Sequence, residues 1–482
     1  MPYLSWDHDQ VWLLPPSLDE CVALDHPVRF IDDVVAAFGT ELRGQLELDE
    51  RADTRGRAAY PPDLLVRVWL YGFMRGIRSS RKLEAACREQ LPLIWLCGQL
   101  QPDHNTLARY WCEHRTAMQE ITRHTARVLY RAGLVDETFQ AVDGTKLGAN
   151  ATKRKTHSLA GLRRLMARID VAIKELEAQE ATGGEPGVGA MPRELANATA
   201  RRERIAALIE EIEQEGRSEI NVTDPDARLM KSSSGAIIAG YNGQLMVSEV
   251  SENGYHGRVI TAAEMTMAPA DNAELLPMIE AAEETLGVRA GLTLADGGYH
   301  SGANLAACKE RGQAVLVAEG HEARRAGPYH KDAFVYDDET DTYRCPEGQT
   351  LRFGGTKRHR GRGPYRTYRA GAVCRGCPLF GTCTTDQRGR LLEIGPHDQV
   401  LREHRALLQT DEAKAAYRLR KSLIELVFGI LKDEQGARRL LLRGYDNVQA
   451  EWRLLAAGFN LRTLYQIWRR RSDEGRIALM AG

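Results

Sequence analysis

Two short apolar segments of the chain each end in an aspartate that is followed at once by glycine. The first reads FQAVDGTK and contains Asp143, and the second reads GLTLADGGY and contains Asp296. A carboxylate at a strand end faces a crevice while a rigid element holds it, and the glycine lets the backbone turn without crowding it. Because Mg²⁺ prefers carboxylate and water oxygens, two such aspartates on neighbouring strands could bind a divalent cation.

A candidate third acid, Glu425, lies in the late segment AAYRLRKSLIELVFGILKDEQ, which has a helical pattern. At about 100° per residue, the bases Arg418, Lys421 and Lys432 fall on the same side as Glu425. The opposite side carries the apolar residues Leu423, Ile424, Val427 and Leu431, with Phe428 at the boundary. This layout suits a metal ligand flanked by phosphate-binding bases. The alternative is a surface helix with a Lys421–Glu425 ion pair.

The cysteines predict a second kind of metal site. Nine cysteines is an odd number and they are unevenly spaced, which favours a reducing compartment over a disulfide framework. Four of them, Cys345, Cys374, Cys377 and Cys383, fall in the segment 331–394. Four thiolates could form a tetrahedral zinc site that stabilises a loop-rich insertion with little core of its own. Four ordinary reduced thiols are the alternative.

A basic run lies between these cysteines, although the whole chain has a net charge of only −1. From Arg352 to Arg369 the chain has no acid, and it includes Arg358, Arg360 and Arg362. Such a run can neutralise phosphates, so we predict that the insertion contacts the DNA backbone. A solvated loop is the alternative.

The remaining patterns predict an α/β chain, α+β overall, with several units. Residues 1–130 read as helices that could bind DNA or serve packing or dimerisation. Residues 155–217 read as an inserted antiparallel helical hairpin, because two apolar heptad-like stripes flank a glycine-rich turn. Residues 135–330 and 395–470 read as a mixed sheet with flanking helices. Within them, Asn242-Gly243 predicts a hairpin turn between two strands.

The composition also limits where the protein acts. No apolar run approaches the roughly 18 residues of a membrane span. The N-terminus MPYLSWDHDQ carries acids where a signal peptide would carry bases, so we expect a cytoplasmic protein.

Taken together, DGTK, DGGY and the late Glu-x2-Phe-Gly-x2-Lys resemble a bacterial insertion-sequence transposase of the DDE type. The blocks YPPDLLVRVWLYGFMRGIRSSRKLEAA, VTDPDARLMK, GYNGQ and RGYDNVQAEWRLLAAGFNLRTL also resemble that family. The resemblance runs from about residue 20 to residue 470, and its specificity lies in the order and spacing of the motifs. It implies a ribonuclease-H-like catalytic core.

The resemblance implies a catalytic triad of Asp143, Asp296 and Glu425 that binds two Mg²⁺ or Mn²⁺ ions. The family's late helix follows Tyr-x2-Arg-x3-Glu-x6-Lys, and the spacing of Glu425 and Lys432 fits it. Counted back from Glu425, Lys421 stands at the arginine position with Arg420 beside it, and Tyr417 is one residue early.

The resemblance also implies roles for neighbouring residues and for partners. Lys421 and Lys432 would hold phosphates, and Lys146 and Tyr299 could contact DNA, although Tyr299 could equally be a packed ring. The partners would be double-stranded DNA, both the terminal repeats of the element and a target, bound by a homodimer. Two alternatives stay open, which are a structure-specific nuclease on the same core and a DNA-binding protein with an inactive centre.

Overall fold

The computed structural model describes residues 17–48, 59–182, 193–319, 329–359 and 362–481. Its helices are α1 (Pro27–Ala36), α2 (Thr40–Gln45), α3 (Pro62–Met74), α4 (Ser80–Glu89), α5 (Leu91–Leu96), α6 (His104–Arg131), α7 (Leu159–Thr182), α8 (Arg193–Glu215), α9 (Leu275–Leu286), α10 (Gly302–Arg311), α11 (Asp398–Leu407), α12 (Asp411–Gly429), α13 (Tyr445–Trp468) and α14 (Asp473–Ala481). Its strands are β1 (Val135–Gly148), β2 (Thr156–Ser158), β3 (Glu219–Asn221), β4 (Arg228–Lys231), β5 (Ile237–Glu252), β6 (Tyr255–Thr266), β7 (Leu292–Ala295), β8 (Val315–Val317), β9 (Val335–Asp337), β10 (Thr342–Arg344), β11 (Thr350–His359), β12 (Arg362–Arg369) and β13 (Leu391–Ile394).

The main sheet has six strands in the order β4-β5-β1-β7-β8, and β6 also pairs with β5. β1 is antiparallel to β5 and parallel to β7, and β7 is parallel to β8. Helices lie before, between and after these strands. The predicted α+β class is therefore confirmed.

The predicted hairpin turn at Asn242-Gly243 is wrong, because β5 runs through both residues without a break. A side chain at Gly243 would have its first carbon 2.9 Å from two ring carbons of Trp452. The glycine therefore serves close packing of α13 on the sheet. Asn242 turns its side chain to Asp271, to which its amide nitrogen donates a hydrogen bond of 2.7 Å.

The N-terminal helices begin where the sequence supplies caps and prolines. The Asp103 carboxylate accepts from the backbone N–H groups of Asn105 and Thr106 at the start of α6. Proline suits the first helical turn, and α3 begins at Pro62. These helices share one continuous hydrophobic core with α12, α13 and one face of the main sheet.

α13 lies at the centre of this core. Most of its side chains are buried, including Trp452 and Phe459. α13 is enclosed on several sides, because it packs against α3, α6 and β6. On the opposite face of the sheet, α9 and α10 cover a second core that contains Val142 and Tyr299.

Two insertions have small cores of their own. α7 and α8 pack together around Leu162, Ile205 and Ile212, and β2 pairs with β3 at their base. The segment 331–394 forms a second, antiparallel sheet in the order β13-β12-β11-β10-β9. The expectation of a loop-rich insertion is therefore wrong, since this sheet has a core of its own that includes Phe334, Tyr343 and Tyr368.

The domain boundaries given above stay predictions. No helix in the described part of the chain has the length and apolar character that crossing a membrane requires.

Candidate active site

Asp143 lies inside β1, where it faces Leu245 of β5. The strand does not end there, as the sequence suggested, but continues to Gly148. Its parallel neighbour β7 does end at this level, because Ala295, the last residue of β7, pairs with Val142. Asp143 is thus only partly buried at the point where the sheet loses a strand, and its side chain keeps 22% of its accessible surface.

Asp296 follows β7 directly and caps a short 3-10 helix over Gly297–Tyr299. Its Oδ1 accepts a hydrogen bond of 2.8 Å from the backbone N–H of Gly298. Burial, together with the negative charge of Asp296, raises the pKa of Asp143 to about 6. The structure therefore brings the two predicted aspartates together on neighbouring strands.

Helix α12 presents a tyrosine and an arginine to these aspartates. Arg420 Nη1 donates to Asp143 Oδ2 at 3.0 Å. Tyr417 donates through its hydroxyl to the backbone oxygen of Ala295 at 3.1 Å. Arg420 therefore partly offsets the negative charge of Asp143, and α12 closes one side of the crevice.

Glu425 lies five residues beyond Arg420 on α12 and is exposed to solvent. Within the described residues Glu425 makes no hydrogen bond or ion pair, either with Asp143 and Asp296 or with Lys421. Arg418 and Lys421 are exposed as well. The predicted apolar face of this helix is buried, and it consists of Leu423, Ile424, Val427, Phe428 and Leu431.

Lys432 is half-buried just beyond α12, in a π-helical turn. Its ammonium lies 5.4 Å from the ring centre of Phe428. Burial lowers the pKa of Lys432, while the charge of Asp143 acts in the opposite direction. Lys432 is therefore within electrostatic reach of the aspartate pair.

The glycines beside the aspartates leave space for neighbouring side chains, and neither of them is needed to form a turn. Gly144 and Gly298 are both outside the left-handed region. A methyl group at Gly144 would lie 2.3 Å from Gln244 Nε2 and 2.4 Å from Asp271 Oδ1. One at Gly298 would lie 3.0 Å from Asp296 Oδ1 and 3.4 Å from Asp271 Oδ2. Both glycines thus allow polar side chains to approach the backbone.

Lys146 and Tyr299 are directed away from the crevice. Side chains alternate along a strand, so Lys146 lies on the opposite face of β1 from Asp143. Its ammonium pairs with Asp271 at 2.9 Å. Tyr299 is fully buried and its hydroxyl donates to Gln244 Oε1. The packed-ring alternative for Tyr299 is the one that the structure shows, because a buried ring has no surface to offer DNA.

The basic run of the second sheet is partly neutralised by acids that the fold brings to it. Ion pairs join Lys357 to Glu393 at 2.7 Å, Arg366 to Asp341 at 2.5 Å and Arg369 to Asp386 at 2.7 Å. Arg358 is exposed on β11. Arg360 and the side chain of Arg362 lie outside the described residues.

The four clustered cysteines line one cavity of about 20 Å³ in the second sheet. All of them are free thiols. Cys345 Sγ accepts from the backbone N–H of Gln349 at 3.2 Å, and Cys374 Sγ from that of Arg390 at 3.5 Å. The remaining two cavity cysteines are Cys377 and Cys383.

Neither the aspartate pair nor the group of four cysteines is arranged as a complete metal site. Among the described residues, no three His, Cys, Asp or Glu side chains converge as the ligands of one ion do. The chemistry of the aspartate pair nevertheless fits a divalent cation. Two neighbouring carboxylates, one with a raised pKa, repel each other, and a bound cation would remove that repulsion.

Sequence reasoning missed Arg420 and Asp271 as members of this region. A signal existed for Arg420, because it stands three residues after Tyr417, as the arginine of the family pattern does. No comparable signal existed for Asp271, whose partners are 27 to 125 positions away in the chain.

Comparison with known protein families gives two matches. Residues 344–465 match a family described as "Transposase DDE domain". Residues 16–111 match a family described as "Transposase domain (DUF772)". The first match covers β11 to β13 of the second sheet, α12 and most of α13, and so it contains Glu425 and Arg420 but neither aspartate. Comparison with curated proteins found no match, and neither did comparison with solved structures.

Proposed function

From two matches to transposase families we infer a DDE transposase of the insertion-sequence type, and we propose that it cuts and joins DNA at the ends of its own element. The observation that carries the proposal is the pairing of Asp143 with Asp296 on neighbouring strands, with Arg420 of α12 against Asp143. In the six-stranded main sheet, β4, β5, β6 and β1 pair antiparallel, and β7 and β8 then continue the sheet parallel to β1. This arrangement supports a ribonuclease-H-like core.

We propose that Asp143 and Asp296, with Glu425 as the third acid, hold two Mg²⁺ or Mn²⁺ ions. Bound metal of this kind lowers the pKa of the attacking water or 3′-hydroxyl and stabilises the leaving oxygen in an in-line displacement. The carboxylate of Asp143 must lose its proton before it can bind a cation. Arg420 holds that carboxylate in place and is positioned to transfer its hydrogen bond to a phosphate oxygen.

We propose that DNA reaches this crevice along α12. Arg418 and Lys421 are exposed on that helix, and Lys432 lies at its end. A positive charge close to the scissile phosphate stabilises the charge that develops there. Arg358 on β11 would add a backbone contact from the second sheet. We further propose a homodimer on paired ends, in line with the family resemblance.

The chemistry is tested with purified protein, Mn²⁺ and DNA that carries the inverted repeats flanking the coding region. We expect cleavage at the repeat ends and joining to a target plasmid. Asp143→Asn should reduce both reactions to the level of DNA without protein, and it should still bind the repeats. Asp136→Asn, on the same strand but far from Asp296, is the matched control.

The outcomes separate the alternatives. Cleavage without joining would favour the structure-specific nuclease. Binding without either reaction would favour the inactive DNA-binding protein. An Asp143→Asn variant that still joins DNA would contradict the proposed site.

We also propose that the cysteine cavity binds one structural zinc ion. What supports this is that four free thiols, three from 374–383 and one at Cys345, line one space that is large enough for about one water molecule or ion. Two of the sulfurs also accept backbone N–H bonds, which stabilise thiolates. The thiols do not converge as metal ligands among the described residues, so their side chains would have to rotate to complete a tetrahedral site.

Metal analysis of purified protein tests the zinc proposal. We expect about one zinc per chain in the wild type. Cys374→Ser should lose the metal, whereas Cys112→Ser, which changes an exposed thiol on α6, should keep it. A wild-type protein that binds no zinc after purification without chelators would disprove the site.

A further inference from the structure

A single carboxylate, that of Asp271, connects the segments that carry Asp143 and Asp296. Its Oδ1 accepts hydrogen bonds from Asn242 Nδ2 at 2.7 Å, from Gln244 Nε2 at 2.8 Å and from Lys146 Nζ at 2.9 Å. We call Asp271 and these three partners, together with Tyr299, the Asp271 cluster.

The cluster joins four segments of the chain. Lys146 belongs to β1, Asn242 and Gln244 to β5, and Asp271 to the loop before α9. Tyr299 belongs to the segment after β7 and is connected through Gln244, whose Oε1 accepts from its hydroxyl. Three of the side chains, those of Asn242, Gln244 and Tyr299, are fully buried. Buried polar groups with several partners have few alternative arrangements, so the cluster is rigid.

Each aspartate of the pair stands three residues before a member of the cluster. Asp143 precedes Lys146 on β1, and Asp296 precedes Tyr299 on the 3-10 turn. The loop of Asp271 is itself tied to that turn, since Asn304 Nδ2 donates to the backbone oxygens of Asn272 at 2.7 Å and Tyr299 at 2.8 Å. The cluster thus fixes both aspartates from behind the sheet.

The glycines give independent evidence for the same connection. A side chain at Gly144 would meet Asp271 and Gln244, and a side chain at Gly298 would meet Asp296 and Asp271. The Asp271 carboxylate therefore lies beside the backbone next to each aspartate, in the space that a side chain at Gly144 or Gly298 would need. A shift of that carboxylate toward either glycine is limited by strand β1 on one side and by the 3-10 turn on the other.

We propose that Asp271 is the positioning residue of the aspartate pair, and that it sets the separation of the two carboxylates and with it their affinity for a divalent cation. Asp143 faces the crevice from β1, but Asp271 does not face it. Asp271 acts on the aspartate pair through Lys146, Gln244 and the two glycines. The inference rests on the proposed metal-dependent function. Residues that orient metal ligands typically change affinity by about 10- to 100-fold when they are replaced.

The test measures Mn²⁺ binding to the full-length protein by isothermal titration calorimetry, without DNA. Asp271→Ala should raise the Mn²⁺ dissociation constant at least about tenfold. The matched control is Asp224→Asn, because Asp224 also accepts from a β5 side chain, the hydroxyl of Tyr241, at 2.8 Å. Asp224 is fully buried, whereas the side chain of Asp271 keeps 22% of its accessible surface. The control should lose thermal stability as Asp271→Ala does, but it should bind Mn²⁺ as the wild type does.

A second variant removes the ambiguity of a folding defect. If Asp271→Ala does not fold, the conservative Asp271→Asn keeps the shape and the Oδ1 acceptor but removes the negative charge, and the same criterion applies to it. Adding Lys146→Met to Asp271→Asn removes both charges together and should recover part of the Mn²⁺ affinity. A purely structural role would restore stability in this double variant without changing Mn²⁺ affinity.

The possible results are distinguishable from failure of the proposed function. A folded Asp271 variant with wild-type Mn²⁺ affinity would overturn the inference. Mn²⁺ binding that depends on Asp143 and Asp271, in a protein that cuts no DNA, would overturn the proposed function and support the inference. A wild type that binds no Mn²⁺ at Asp143 would overturn both.

Discussion

Asp143 is held between two opposing electrostatic influences. Burial and the charge of Asp296 favour its protonated form, and Arg420 favours its ionised form. Burial and the charge of Asp296 have the larger effect, so the pKa of Asp143 rises from the ordinary 3.8 to about 6. In the metal-free protein, ionised Asp143 is therefore an unfavourable group at neutral pH.

We predict that, in the metal-free protein, the contribution of Asp143 to the free energy of unfolding falls as the pH rises from about 4 to about 6. The folded pKa lies above the unfolded one, so this contribution is complete below about pH 4 and is lost as the pH passes about 6. At pH 8, Asp143→Asn should be more stable than the wild type by about 1–3 kcal/mol. At pH 4 the two should be equal.

Urea unfolding in EDTA between pH 4 and pH 8 measures this difference. Comparing the two proteins cancels the titration of the acids that do not interact with Asp143. A difference in stability that does not change with pH would contradict the raised pKa.

At the scale of single residues, the sequence predicted the two aspartates but not the side chains that contact them in the fold. Asp143 and Asp296 were predictable because each follows a short apolar run in the sequence, and parallel neighbouring strands bring such positions together. Arg420 and Lys421 are adjacent in sequence, yet one residue turns a helix by about 100°. Only the packing of Leu423 and Ile424 on the sheet decides which of the two bases faces Asp143.

At the scale of elements, β5 and α13 show that the same Asn-Gly dipeptide can have two different structural roles. Asn-Gly between strand-like residues is the usual hairpin signal. In β5, Gly243 instead leaves room for the Trp452 ring, whose Nε1 donates to Gln244 O at 3.0 Å. The pattern could not reveal this, because Trp452 is more than 200 positions away.

We predict that Gly243→Ala destabilises the protein by about 1–3 kcal/mol, because its methyl group would overlap the indole ring. Gly44→Ala in α2 is the matched control. A side chain there meets nothing within 4 Å, so alanine should be neutral or stabilising by up to about 1 kcal/mol. Thermal and urea unfolding measure the stability of both variants. Equal changes in stability for the two variants would contradict the prediction.

At the scale of the whole molecule, a buried ion pair joins the N-terminal helices to the C-terminal part of the chain. Arg78 donates to Glu451 at 2.8 Å, and both side chains are buried, at 7% and 2% exposure. Glu451 also accepts from the backbone N–H groups of Leu441 and Leu442. The two transposase-family regions are thus connected by a group that sequence patterns could not pair, as 373 positions separate its members.

We predict that Arg78→Ala lowers the free energy of unfolding by about 3–5 kcal/mol, because it leaves the Glu451 carboxylate buried without its partner. Arg163→Ala is the matched control, since Arg163 pairs with Glu213 at 2.6 Å in an exposed position. That change should cost at most about 1 kcal/mol. Equal losses for the two variants in urea unfolding would contradict the assignment.

The pairing of β2 with β3 has a practical consequence. Thr156 lies opposite Asn221, so the chain leaves the main body for α7 and returns from α8 at the same place. A module whose two ends meet in this way can be exchanged for a fluorescent protein or an affinity tag with little disturbance of the rest. The position is therefore a natural attachment point for following the protein on DNA in living cells.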